Sequence, residues 1–375
     1  MLEQFGINVS ALSHSCVYDL NALNVDLVQV PIHLGLPDEY VIDMIADTDT
    51  HVIGKLVPDP KIHDRKFFQG LFKRYRGRIK IWDFGGEPET RPDQPGCRWT
   101  GTAKDFVSLF RQFRDVAKSY DWGNQVGAGG FLAPTFNGLF GNESRFGFLE
   151  EIFSEGIGHE CDFFSINMYV RGYGGCKNFV AGILMFKEML ARYSQHRKSI
   201  VVSETGVPCG GDPKFLHIIQ TPERQAISLI ETHLACALLG IDYSIWYTYR
   251  HLAWGIVNEN GTKRPAFAAF QNMIRVLKGC QYKHTLKALP SGSVQERWLT
   301  DKISWHVLAR PDGKEVHIVY LSGGNSLPRL MPAGISGSCD MYGSALAGNI
   351  FMLDAAPKYF AADPGVLHPL NFLVY

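Results

Sequence analysis

Two kinds of hydrophobic pattern alternate along the first three-quarters of the chain. Compact apolar runs stand at Phe5–Val9, Val25–Ile32, His51–Val57, Ile79–Phe84, Val126–Leu132, Asp162–Tyr169, Ser199–Ser203 and Ile241–Tyr249. Between them, apolar residues recur at helical spacing. Phe68, Leu71, Phe72 and Tyr75 fall at i, i+3, i+4 and i+7, and Phe106, Leu109, Phe110, Phe113 and Val116 draw the same stripe in the next segment. Thr221 and Pro222 supply an N-cap and a first helical residue ahead of Ile230, Leu234, Ala237 and Leu238; a last helix runs from Pro265 to Leu277. Strands apolar on both faces suit a parallel sheet covered by helices. Eight such units predict an α/β fold, a (β/α)8 TIM barrel over residues 1–279, with a doubly wound open sheet as the alternative.

From about Cys280 the helical spacing disappears. Short β-like runs follow at Tyr282–Leu289, Val294–Leu299, Lys302–Ala309, Glu315–Leu321, Asn349–Leu353 and Asn371–Tyr375, punctuated by turns such as Pro311-Asp312-Gly313-Lys314. Residues 280–375 are expected to form a small antiparallel β-sandwich docked on the barrel, since no low-complexity linker separates the two.

Composition narrows the function. Lys+Arg and Asp+Glu both number 37, which leaves no positive surplus for nucleic acid or an anionic membrane. The basic stretch Lys73–Arg78 reads as the solvated end of a helix. Phe179–Phe186 is among the longest apolar runs and is far too short to cross a bilayer, so no membrane insertion is expected. Met1 opens no signal peptide, which leaves an intracellular location or a removed leader. The 8 cysteines form no Cys-x-x-Cys pair, and phosphate-loop, His-Glu-x-x-His and Gly-x-Ser-x-Gly patterns are missing. Neither a metal nor a cofactor is therefore expected.

The candidate chemistry stands at two strand ends. Ile79-Lys-Ile-Trp-Asp-Phe-Gly-Gly-Glu87-Pro-Glu89 is a strand that stops abruptly, with Pro88 expected to push Glu87 towards an extended backbone. Ser199-Ile-Val-Val-Ser-Glu204-Thr-Gly206 is a second strand ending in a glutamate and a glycine turn. In a barrel, catalytic groups come from the C-terminal ends of strands, which would face these two carboxyls across the mouth. Cleaving a glycosidic bond needs such a pair. One carboxyl protonates the departing oxygen, and the other, ionised, attacks the anomeric carbon or activates water.

These motifs carry a resemblance. Phe84-Gly85-Gly86-Glu87-Pro88 resembles the Asn-Glu-Pro motif after strand four of clan A retaining glycoside hydrolases, and Val201–Gly206 resembles their strand-seven nucleophile motif. Ile245–Tyr249 is similar to their strand eight, and Gly255–Gly261 leading to Pro265 to the segment before their final helix. Among clan members the chain is most similar to the β-xylosidase/α-L-iduronidase-like group. The resemblance implies Glu87 as general acid/base and Glu204 as nucleophile, acting with retention. The substrate is expected to be an oligo- or polysaccharide, with an endo-acting cleft on an exopolysaccharide preferred to an exo-acting pocket. Beside the resemblance, position at strand ends and in the loops after them makes His33, Asn167, Tyr169, Trp246 and Trp254 candidate substrate-binding residues, with Trp99 and Tyr173 as further platforms; a capping histidine at His33 and a barrel-wall tryptophan at Trp246 are the alternatives. Tyr169 stands where the family often hydrogen-bonds its nucleophile. Arg250 and His251 follow strand eight, where they would meet an acidic sugar or form a structural ion pair. Asp83 is read as a brace of the barrel and Glu89 as solvated.

One departure stands out. The family has Asn where this chain has Gly86, and that amide holds the sugar's 2-hydroxyl. Either the substrate differs at C2, or another donor such as Asn167 replaces it, or the chain is a carbohydrate-binding pseudoenzyme. A metal-dependent lyase or isomerase using both glutamates as ligands would need further acidic or His residues at strand ends; strands one, three and five are read as offering none.

Overall fold

The computed structural model describes residues 4–10, 14–32, 39–89, 99–132, 144–169, 175–193, 195, 197–210, 219–285, 303–321, 326–348 and 350–367. Eight parallel strands close a barrel in chain order. They are β1 (Phe5–Asn8), β2 (Leu27–Pro31), β3 (His51–Leu56), β4 (Ile81–Gly85), β5 (Gln125–Leu132), β6 (Phe163–Asn167), β7 (Ser199–Thr205) and β8 (Tyr243–Trp246), and β8 pairs back onto β1.

Helices α1 (His14–Leu23), α2 (Glu39–Ala46), α3 (Arg65–Arg74), α4 (Ala103–Tyr120), α5 (Ser144–Ser154), α6 (Ile157–Glu160), α7 (Gly175–Arg192), α8 (Pro222–Leu238) and α9 (Pro265–Leu277) alternate with the strands. The apolar stripes of α3 and α4 are buried as their spacing predicts. Thr221 caps α8 by accepting from Arg224 N at 3.1 Å, with Pro222 in the first turn. Aromatic rings fill the layer between strands and helices: Phe113 of α4 meets Phe84 of β4 at 5.0 Å and Phe68 of α3 at 5.2 Å between centroids.

Inside the barrel the two-residue period of strands builds two storeys. Leu27, Ile53, Ile81, Phe163, Val201 and Ile245 form one buried apolar cluster. Two residues further along each of these strands comes a polar group: Gln29, Lys55, Asp83, Ser165, Ser203 and Tyr247. An apolar plug is thus overlaid by a hydrogen-bonding floor on the side where the strands end. Gly127 of β5 leaves room for the plug, because a Cβ there would lie 2.0 Å from Cε2 of Phe163.

Beyond the barrel lie antiparallel sheets. Five strands run in the order β13 (Ile335–Cys339), β15 (Lys358–Ala362), β11 (Glu315–Leu321), β10 (Ile303–Ala309) and β9 (Gln281–Thr285), and β12 (Leu327–Leu330) pairs β14 (Ile350–Leu353). Leu308, Val316, Ile318 and Tyr359 join the core cluster that contains the barrel's outer face. Trp305, Val307, Val319 and Phe360 pack instead with Phe351 and Leu353 of the small sheet. Asn272 of α9 fastens the junction by donating to Asp340 O at 3.1 Å. The runs Val294–Leu299 and Asn371–Tyr375 lie outside the described residues, and β12, β13 and β15 were not among the predicted strands.

Candidate active site

The mouth is assembled from the ends of β3, β4, β6, β7 and β8. Glu87 follows β4 and Glu204 lies within β7. The end of β6 and the two residues after it connect them: Asn167 closes the strand and Tyr169 lies two residues beyond. Asn167 Nδ2 donates to Glu87 Oε1 at 3.1 Å, and its Oδ1 accepts from Ser203 Oγ at 2.9 Å. The Tyr169 hydroxyl donates to Glu204 Oε2. Lys55 completes the set, with Nζ 2.6 Å from Glu204 Oε1. Each oxygen of Glu204 thus has its own donor, one charged and one neutral, which fixes the carboxylate plane.

Burial and like charges decide the protonation states. Burial works against the Lys55 ammonium, but Glu204, Asp83 and Glu87 together outweigh it and hold the lysine protonated beyond its ordinary range. Burial pushes the Tyr169 phenol up, and the Glu204 and Glu87 carboxylates push it further, so it remains a donor. Tyr247 is pushed up to about 12, first by burial and then by Glu204 and Glu87. Asp83 is pushed up to about 6 by burial, against the pull of Lys55 and of the Ser165 hydroxyl, which donates to its Oδ1 at 2.5 Å.

Glu87 departs from expectation. Its φ is +56°, a left-handed conformation, and not the extended one that Pro88 favours. The turn is held from β5, where Gly130 O accepts from Glu87 N at 2.8 Å. Glu89, expected in solvent, is 6 % exposed and accepts from Leu132 N. The Glu87 turn is therefore stitched to β5 at both ends, which is why its second carboxylate faces inward.

The aromatic candidates divide. Trp246 is corrected by the structure: it is fully buried in the layer between strands and helices and presents no face to the mouth. Ile245 belongs to the inner plug, so the next residue must face outward, and Tyr247 is the side chain that returns to the mouth. Trp254 is 7 % exposed and packs edge-on against Tyr169 at 5.0 Å, backing the tyrosine and offering no open platform. Trp99 is 3 % exposed and packs on Phe106. The His251 ring accepts from Ala253 N at 3.0 Å, which ties it to its own loop, and Arg250 lies over the Tyr249 ring. His33 and Tyr173 lie outside the described residues.

Lys55 and Tyr247 were not foreseen. Both sit two residues beyond a plug residue on the same strand, and that offset was the available signal. At Gly86, a Cβ would lie 2.5 Å from Cγ2 of Val57, so Val57 stands where a side chain at this position would begin.

No family model matches the sequence, and no curated protein matches it either. Solved structures do match. A family 39 glycoside hydrolase from the gut symbiont Bacteroides cellulosilyticus superposes with a TM-score of 0.71 at 13% identity, covering 96% of this chain and 81% of its own. A glucosidase from Croceicoccus marinus reaches 0.66 at 12% identity, over 96% of this chain and 95% of that one. An endo-β1,6-glucanase reaches 0.60 at 9% identity, over 96% and 91%. The chain thus has the fold of the clan A glycoside hydrolases, barrel and antiparallel sheets together.

Proposed function

We propose that this protein is a retaining glycoside hydrolase acting on an oligo- or polysaccharide, with Glu87 as general acid/base and Glu204 as nucleophile. Residues 1–279 are the catalytic unit and residues 280–375 an accessory β-sandwich. The observation that carries this reading is the linkage through β6, in which Asn167 holds one glutamate and Tyr169 the other. The two carboxyls have unlike surroundings. Glu204 is gripped by a cation and a phenol, which suits an ionised nucleophile; Glu87 accepts from a neutral amide, which suits a group that exchanges a proton.

The reaction follows from these roles. Glu204 attacks the anomeric carbon while the glycosidic C–O bond breaks and the departing oxygen takes the proton of Glu87. Water then attacks the glycosyl ester, gives its proton to Glu87 and restores the Glu204 carboxylate. Carboxyls about 5–5.5 Å apart fit this double displacement, whereas inversion needs roughly 6.5–9.5 Å. Asn167 and Tyr169 are positioning groups for the two glutamates, with Tyr247 beside them. An endo-acting site on an exopolysaccharide is the preferred form.

The test is a screen of polysaccharides and activated glycosides scored by the mass of released sugars. Glu204→Gln should abolish release while sugar binding persists. Glu87→Ala should slow it and be partly rescued by azide. A second reading draws on Gly86, whose missing amide is replaced by Val57, and on Asn167, whose amide already serves Glu87. On that reading the protein binds glycans without cleaving them. Wild-type protein that retains a glycan and never releases a reducing end would decide for it.

A further inference from the structure

A buried cation in contact with a nucleophile poses a problem that the reaction itself creates. The Lys55 side chain is 3% exposed and has its ion-pair contact with Glu204 Oε1 at 2.6 Å. Once Glu204 becomes an ester its charge is gone, and the buried ammonium loses the carboxylate it is hydrogen-bonded to.

The neighbouring strand holds an answer. Asp83 stands opposite Lys55 in the β3–β4 register and is 1% exposed. Ser165 Oγ satisfies its Oδ1, whereas its buried Oδ2 has no hydrogen-bond partner among the described residues. Adjacent strands lie about 4.8 Å apart, within the swing of a lysine side chain. Both residues belong to the polar floor above the apolar plug.

Resting on the retaining mechanism proposed above, we infer that Lys55 is a positioning residue whose ammonium passes from Glu204 to Oδ2 of Asp83 while the glycosyl ester exists, and returns when the ester is hydrolysed. Lys55 transfers no proton in either step. The C1–Oε bond forms as the glycosidic bond breaks with protonation from Glu87; water then forms the new C1–O bond, its proton goes to Glu87, and the ester electrons return to Glu204. The charged and titratable groups around the lysine are Asp83 and Glu87 from β4 and its turn, Glu204 from β7, and the Tyr169 and Tyr247 hydroxyls that face Glu204. Burial pushes Asp83 up to about 6 while Lys55 pulls it down, so the ammonium itself favours the carboxylate form that would receive it.

Glu204→Gln reproduces the neutral state of the ester at nearly constant shape and tests the transfer without any substrate. Its crystal structure should place Lys55 Nζ within hydrogen-bond distance of Asp83 Oδ2. Carbon-13 NMR should find the Asp83 carboxyl titrating about one pH unit or more below its wild-type value. Adding Lys55→Met should lift it above that value. Nζ remaining on the side-chain oxygen of the introduced glutamine would overturn the transfer even if the Asp83 titration falls, since loss of the Glu204 charge alone lowers it. Should Glu204→Gln not fold, Glu204→Ala serves the same two measurements. A screen without turnover counts against the hydrolase and not against the transfer, which the position of Nζ in the crystal structure decides alone.

Discussion

The Cβ that Gly86 lacks would stand 2.5 Å from Cγ2 and 3.0 Å from Cγ1 of Val57. The missing amide next to the candidate acid/base and the valine just past β3 are therefore one feature and not two. Gly86→Asn alone should destabilise the protein by about 1–3 kcal/mol through overpacking. Combined with Val57→Ala it should recover most of that loss. Urea unfolding of the four proteins of this cycle reads the coupling directly; additive effects would mean that Val57 does not occupy the place of the amide.

Tyr169→Phe keeps the ring against Trp254 and removes the hydroxyl from Glu204. A hydrogen bond to a charged group is worth about 1.5–3 kcal/mol, so turnover of an activated glycoside should fall about 10- to 100-fold. The melting temperature should change little. A fall in stability that matches the fall in rate would make the tyrosine a packing residue only.

Two histidines make stability depend on pH. His233 contacts Ser244 Oγ at 2.5 Å and stacks on Phe270, and burial pushes its pKa down to about 3; burial likewise lowers His306 to about 4. Both are depressed below the unfolded value, so the unfolded chain binds more protons and stability present above about pH 6.5 is lost as the pH falls. For His233 the slope approaches about 1.4 kcal/mol per pH unit between about pH 6 and 4. The double substitution His233→Phe with Ser244→Ala should flatten the urea midpoint against pH over that window, and an unchanged slope would count against a neutral, buried imidazole.

Gly127→Ala should be among the most damaging single methyl additions in the barrel, since the new Cβ meets the Phe163 ring at 2.0 Å. A loss of about 1–3 kcal/mol or more is expected. Phe163→Leu in the same protein should restore part of it, measured by thermal or urea unfolding.

Much of this architecture was legible in the order of the residues. The eight barrel strands announce themselves because both faces are buried, and α3, α4, α8 and α9 because their apolar stripes or N-caps are plain; α1, α2, α5, α6 and α7 were not singled out. Glu87 and Glu204 stand out because glycine turns follow or precede a strand end. What escaped is instructive. Lys55 sits inside the run His51–Val57 as a lone charge among apolar residues, and such a run hides which face is inward. Registering the inner plug first would have found it, since Gln29, Lys55, Asp83, Ser165, Ser203 and Tyr247 all follow plug residues by two. The same omission put Trp246 in the mouth, one residue from the side chain that reaches it. In the C-terminal sheets, β12 and β13 carry Pro328 and Gly337, which argue locally against strands; antiparallel partners supplied by distant segments overrule them.

The two stitches from β5 to the Glu87 turn have an effect at a distance. A left-handed glutamate is held by Gly130 O on one side and, through Glu89, by Leu132 N on the other. The angle at which a proton would be offered is set by the neighbouring strand and not by the strand that carries the acid. If Glu87 is the proposed acid/base, substitutions at residues 130–132 should retune its proton delivery without touching either carboxyl.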